Sequence, residues 1–258
     1  MKQRKRKGRD VRMPKLFVVS DVHSYYDEMK NALDRAGFDQ ENEEHWLISC
    51  GDALDRGPQT QEVVDYLMGL PRCVLVKGNH DLLIMDCIQR GYPQGYDYSN
   101  GTFRSVIDLA PNAKVFGEAC AVAYEKVKPF VDRMVNYFET KNYIFVHSWI
   151  ALKCNDDLPA HYTRNRKFEF DPNWRLAHNS AWERAMWGNP FDMAKQGFLP
   201  DKTLVFGHWH TYGQRPDGYE GEDLFDPIYG DGYIGIDAAT ALSGQVNVLV
   251  LDDEFLEE

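Results

Sequence analysis

The apolar residues of this chain fall into short unbroken runs, separated by segments of helical period that end on glycine. Leu16-Phe17-Val18-Val19, entered from Lys15 and left through Ser20-Asp21, does not alternate with polar residues, so it reads as a strand buried on both faces. Helical spacing follows over 26–36, with Met29, Leu33 and Ala36 on one side and Gly37 placed to end it. The cycle repeats as a strand over 46–49, a glycine-bounded connection over 51–58, a helix over 60–68 that aligns Val63, Val64 and Leu67, and a strand over 73–76. This alternation predicts a parallel sheet with right-handed crossovers. Residues 82–140 read as mostly helical around a loop over 91–101, a strand over 142–146 stops at His147, and a strand over 203–206 stops before Gly207-His208. Residues 153–200 are polar, aromatic and irregular, which predicts a loop-rich insertion. Segments 233–237 and 245–251, with a Ser-Gly turn between them, predict a closing hairpin.

A length of 258 residues at 43% hydrophobic content allows one large α/β core, expected over 15–258. Net charge is −11, yet residues 1–9 carry six of the 29 basic side chains, which leaves the body at −17. Such a body repels a nucleic-acid backbone, so nucleic acid is not an expected partner, and the basic tail over 1–14 reads as a solvated, disordered end. No run approaches a membrane span and residues 1–10 lack an apolar signal core, which predicts a cytoplasmic protein. Five scattered cysteines without a CxxC pair argue against a disulfide framework and against a thiolate zinc site.

Five predicted strands end in metal-type ligands: Asp21-x-His23, Asp52, Asn79, His147 and His208. Taken singly, each has an ordinary explanation as a loop, a turn or a hydrogen-bonded core histidine. Their joint placement on the side where an α/β sheet gathers its chemistry points instead to a metal site. Oxygen and nitrogen donors without thiolate suit manganese, iron, zinc or magnesium. Six groups exceed the needs of one four-coordinate ion and match two ions about 3.5–4 Å apart, with Asp52 as the candidate bridge. Beside them, Arg56 offers a planar fork for phosphate oxygens, His80 a general acid, and Asp55 a carboxylate to orient His80. These are the parts of a phosphoryl-transfer site that needs no nucleophilic side chain.

Ser20-Asp21-Val22-His23, Gly51-Asp52-Ala53-Leu54-Asp55-Arg56-Gly57 and Gly78-Asn79-His80-Asp81, followed by His147 and Gly207-His208, resemble the serine/threonine phosphoprotein phosphatase branch of the calcineurin-like metallophosphoesterases, above all its compact bacterial and bacteriophage-type members. The resemblance covers roughly residues 15–251. It implies an α/β metallophosphoesterase sandwich of two mixed β-sheets packed together and flanked by helices. It further implies two metal ions, with Mn²⁺ as an activator in vitro, the first held by Asp21, His23 and Asp52 and the second by Asp52, Asn79, His147 and His208. His80 and Asp55 would form the acid dyad. Arg56 and Asn79 would contact phosphate, together with a second arginine, taken as Arg184 within Trp182-Glu183-Arg184, while Arg164, Arg166 and Arg175 are expected at the surface.

The resemblance makes a phosphorylated protein or a small phosphoester the expected substrate, with phosphoserine or phosphothreonine first. The alternative is a symmetrical dinucleoside tetraphosphatase, in which Trp174, Trp182 and Trp187 would stack on a base; their alternation with Ala, Leu and Met fits a core equally. A non-catalytic phosphate-binding module would have lost a ligand or the dyad, and none is missing. The sequence departs from the family pattern at Ser24, where glycine is usual, and at Trp209-His210-Thr211, where Thr-Pro is common. His210 could reach substrate or solvent, and His45, His161 and His178 carry no motif.

Overall fold

The computed structural model describes residues 13–154, 159–161 and 167–256. The basic segment 1–12 and the arginines Arg164 and Arg166 lie outside the described residues. Among the described residues, eleven strands run in chain order: β1 (Lys15–Val19), β2 (His45–Ser49), β3 (Cys73–Leu75), β4 (Phe138–Glu139), β5 (Tyr143–Phe145), β6 (Lys153–Cys154), β7 (Phe168–Glu169), β8 (Thr203–Phe206), β9 (Ile228–Gly230), β10 (Tyr233–Gly235) and β11 (Leu249–Asp252). The helices are α1 (Tyr26–Ala36), α2 (Thr60–Gly69), α3 (Asn79–Arg90), α4 (Gly95–Ser99), α5 (Thr102–Leu109), α6 (Phe116–Asp132), α7 (Asn179–Ala185), α8 (Pro190–Lys195) and α9 (Thr240–Ser243).

Two mixed sheets form, ordered β11-β1-β2-β3 and β4-β5-β8-β10-β9, with β6 and β7 as a separate pair. Strands β1, β2 and β3 run parallel in the first sheet and β5, β8 and β10 in the second; the first takes an antiparallel strand, β11, at one edge and the second takes antiparallel β4 and β9 at both. The unbroken apolar runs are explained by what covers each face. From β1, Leu16 and Val18 point inward with Ile48 and Val76 to meet Phe145, Val205 and Ile234 of the second sheet. Phe17 and Val19 point outward with Leu47 and Leu75 into a core shared with α1, α2, α3, α5 and α6. On the far side, Ile144, Leu204 and Phe206 pack under Trp149, Trp174, Trp182 and Phe191. Strands buried on both faces have no reason to alternate.

Three expectations are corrected. Residues 233–251 do not form a hairpin: β10 pairs with β8 and β9 in the second sheet, whereas β11 pairs with β1 in the first. The Ser243-Gly244 turn instead closes α9, with Gly244 in the left-handed conformation. The loop over 91–101 contains α4, whose start is held by the buried Asp97. The insertion over 153–200 carries α7 and α8 besides the short pair β6–β7, because Trp182 and Phe191 give those turns an apolar face to bury.

The two sheets are tied at one edge by Asp253, just past β11. Its carboxylate accepts from Thr140 Oγ1 at 2.6 Å, the Asn142 main-chain N–H at 2.9 Å and Asn142 Nδ2 at 2.6 Å, all in the β4–β5 connection. Burial opposes its ionisation, but those hydrogen bonds outweigh it and hold the carboxyl below its ordinary value. A folded-state value below the unfolded one means that the stabilisation is present above the usual Asp range and fades as pH falls through the lowered value. Asp253→Ala, which leaves three donors unpaired, is expected to cost about 1–3 kcal/mol in urea unfolding at neutral pH, and less at a pH below the usual Asp range.

Candidate active site

The parallel strands end on one side, and each delivers a polar residue there. Beyond β1 stand Asp21 and His23, beyond β2 Asp52, beyond β3 Asn79, beyond β5 His147 and beyond β8 His208; apart from His208, each is at most 6% exposed. A sixth end, that of β10, delivers Asp237, which is 2% exposed. Sequence reading passed over Asp237, although an apolar run ending in a carboxylate was the same signal used at Asp21.

Asp52 sits between two sets of acceptor atoms. Its Oδ2 lies 3.8 Å from His23 Nε2, which is 4.0 Å from Asp21 Oδ1. Its Oδ1 lies 3.4 Å from His147 Nε2, which in turn is 2.8 Å from Asn79 Oδ1 and 3.1 Å from His208 Nδ1. The backbone fixes the tautomers. His23 Nδ1 donates to the Leu54 carbonyl and His147 Nδ1 to the Cys50 carbonyl, both at 2.9 Å, and the Trp187 carbonyl bonds the His208 ring. In the neutral imidazoles the remaining nitrogens therefore turn bare lone pairs toward carboxylate and amide oxygens.

Burial raises the Asp52 carboxyl well above its usual range. Burial, then the charges of His80 and Arg56, hold His23 well below its ordinary value, and burial followed by His147 does the same at His208. Such a convergence of acceptors is reconciled by cations, and hard or borderline divalent ions suit the oxygen and imidazole donors. Ligand atoms of Asp52, His147 and His208 lie within 4.8 Å of one another, as do those of His23, Asp52 and His80.

The turns that hold these residues are strained and close. Asp21, His23, Ser24, Asp52, Asp55, Arg56 and His208 all adopt positive φ, between 50° and 73°. Each such non-glycine residue costs about 1–3 kcal/mol unless its surroundings impose the conformation. Ser24 thus occupies backbone that glycine takes freely, and its hydroxyl accepts from Thr60 Oγ1 at 3.0 Å. A Cβ on Gly207 would come within 1.9 Å of Asp21 Oδ2, and one on Gly78 within 2.2 Å of Asp52 Oδ1. Asp81, at the third position of α3, accepts from the main-chain N–H groups of Asp52, Ala53 and Gly78, so the start of the helix and the Asp52 loop share one carboxylate.

His80 follows Asn79 on the first turn of α3. Its Nδ1 lies 3.0 Å from Asp55 Oδ2, and Thr102 Oγ1 donates to the same oxygen at 2.6 Å. Burial disfavours a charged His80, but the Asp52 charge and the Asp55 hydrogen bond outweigh it and raise its pKa. Arg56 Nη2 lies 3.3 Å from His80 Nε2, so the guanidinium and the imidazole border the same space. Thr102 was missed in the sequence because nothing local marks it; α5 brings it back across 47 residues.

Arg184 stands on α7, half-buried, with its Nε lacking a hydrogen-bond partner among the described residues. It lines a cavity with Lys153, Asp171 and His178. Trp174 and Trp182 are buried against Tyr137, in the core position their spacing allowed, while Trp187 is half-buried. Arg175 forks onto Glu139 at 2.8 Å and is spent on the packing of that edge.

Strand ends that gather carboxylates and imidazoles around two acceptor clusters define a metal-dependent phosphoesterase, and the sequence profile of the calcineurin-like phosphoesterases matches residues 14–212. The chain belongs to that family, whose members use a dimetal centre. Among particular relatives, it is 35% identical to the symmetrical bis(5'-nucleosyl)-tetraphosphatase of Nitrosococcus oceani, over 93% of this chain and 94% of that protein. It is 39% identical to the like-named protein of Erwinia tasmaniensis over 70 residues, a match covering 27% of this chain and only 25% of that protein's length. A cold-active protein-tyrosine phosphatase from a Shewanella species shares the fold, with a TM-score of 0.57 at 13% identity over 93% of this chain and 76% of that one.

Because acceptors this close repel one another without cations, metal and fold should be linked. Thermal unfolding in excess Mn²⁺ should occur several degrees above that in chelator, since ligand at about 100 times its dissociation constant adds roughly 2.7 kcal/mol. Equal melting temperatures would separate the cluster from metal binding.

Proposed function

We propose that the protein is a dimetal-dependent phosphohydrolase whose substrate is a dinucleoside tetraphosphate, cleaved symmetrically by water to two nucleoside diphosphates. The observation that carries this reading is the likeness to the Nitrosococcus oceani protein along nearly the whole of both chains, supported by the grouping of Asp52 with His23 on one side and with His147 and His208 on the other. It ranks above the phosphoserine or phosphothreonine phosphatase that the motifs first suggest, for which the comparisons offer a shared family and a shared fold. No helix among the described residues is long and apolar enough to cross a membrane.

Asp21, His23 and Asp52 would hold one ion, and Asp52, Asn79, His147 and His208 the other. Bound there, the pair would supply Lewis acidity for in-line displacement of the leaving oxygen at phosphorus by water. The exposed Arg56 guanidinium forks onto phosphoryl oxygens and gains strength as charge develops there. His80, whose pKa rises because the Asp52 charge and the Asp55 hydrogen bond outweigh its burial, would donate from Nε2 to the departing oxygen, with Asp55 orienting the ring through Nδ1. Arg184 remains the proposed second phosphate contact.

The direct test is a Mn²⁺-supplemented panel of a dinucleoside tetraphosphate, a phosphoserine peptide and an aryl phosphate, ranked by kcat/KM. The dinucleotide should rank first and yield two nucleoside diphosphates; a higher rank for the peptide would replace this reading with protein phosphatase. His80→Asn should keep its metals and lose about 10²–10⁴-fold on an alkyl phosphate, with smaller losses on the dinucleotide and on nitrophenyl phosphate, whose leaving groups are weaker bases. Equal losses on all three would remove His80 from the acid role.

A further inference from the structure

Asp237 and His210, which take no part in the chemistry above, lie beside a cavity that borders it. The cavity, about 160 Å³, opens beside His23 and Arg56 and is closed by His210 and the segment 239–242. Anything filling it would therefore adjoin the phosphoryl group that Arg56 contacts. Ala239, Ala241 and Leu242 make its far wall apolar, with Leu242, 68% exposed, as the lip.

The walls are tied in place. Asp237 Oδ1 accepts from the Ala239 N–H at 2.7 Å, and its carbonyl accepts from the Thr211 N–H at 2.9 Å. Its Oδ2 lies 3.9 Å from His210 Nε2, and the His210 ring stacks on Tyr212 at 5.4 Å. Thr240 Oγ1 donates to the Asp21 carbonyl at 2.8 Å, which anchors the apolar wall to the loop of a metal-site carboxylate.

Size narrows the occupant. A cavity of about 150 Å³ holds one benzene-sized ring, whereas whole drug-sized ligands fill roughly 300–1,000 Å³. One ring fits here, with an apolar face toward 239–242 and an oxygen-bearing edge toward Arg56 and His210.

We infer that this cavity is the subsite for the departing half of the substrate. It seats the ribose of the leaving nucleoside diphosphate on Ala239–Leu242, while Arg56 and His210 face the phosphate that joins it to the scissile group. His210 is then a specificity-determining contact and Asp237 its positioning residue. The inference rests on the dinucleoside polyphosphate reading, and it accounts for His210 following Gly207-His208-Trp209 in place of the usual Thr-Pro.

Binding of ADP and of inorganic pyrophosphate to the Mn²⁺-loaded full chain, measured by calorimetry, tests it without relying on turnover. The unsubstituted protein should prefer ADP. Ala241→Trp, at an exposed position where folding is not threatened, should weaken ADP about tenfold more than pyrophosphate, the loss of burying one ring. His210→Ala should weaken ADP, Asp237→Asn should match it, and the double variant should be no worse than either single one. If Asp237→Asn fails to fold by near-ultraviolet circular dichroism, Ala241→Trp and His210→Ala decide. No ADP preference, or equal effects of Ala241→Trp on both ligands, overturns the subsite. A protein that keeps the ADP pattern but does not split the dinucleotide supports the subsite and sinks the substrate reading instead.

Discussion

The two oxygens of Asp52 hold the rest of the site in register. One faces His23 and the other His147, so a single buried carboxylate sets where two loops from different sheets must meet. To place it there, the backbone turns left-handed at Asp52 and at Asp21, Gly78 approaches without a Cβ, and Asp81 gathers the surrounding N–H groups. The parallel centres of the two sheets are what make this feasible, since only parallel neighbours end side by side.

Much of this was legible in the sequence because it is local. The runs 15–19, 46–49 and 203–206 are strands by their own composition, and each carries its ligand within a few residues, so motif and element confirm one another. What was not legible depends on partners far along the chain. The partition of β10 and β11 between two sheets cannot be read from a turn of Ser243-Gly244, because either strand is apolar enough for either sheet. Thr102 is an unremarkable threonine until α5 lays it on Asp55, and Asp237 is one acidic residue among 40 until β10 places it beside Asp21. The insertion over 153–200 was read as irregular because its helices are too short to show a period, and their apolar face exists only against Trp149 and Phe206.

The three cores divide the labour of the molecule. The inter-sheet core fixes the ligand-bearing strands, the α1–α6 core holds the Asp52 and Asn79 loops through α2 and α3, and the third supports the insertion and the residues after β8.

The pairing of β1 with β11, Lys15 opposite Asp252, carries a consequence for biosynthesis. Residues 15–19, apolar from Leu16 onward, leave the ribosome well before their partner, and one edge of the strand stays open until residues 249–252 follow, roughly 10–50 s later at ordinary translation rates. Through that interval the nascent chain presents an unpaired strand edge and an uncovered inter-sheet face, the combination that recruits other strands. Any ribosome stall or truncation before Leu249 prolongs that exposure, which makes the last four-residue strand a gatekeeper of solubility as much as a piece of the sheet.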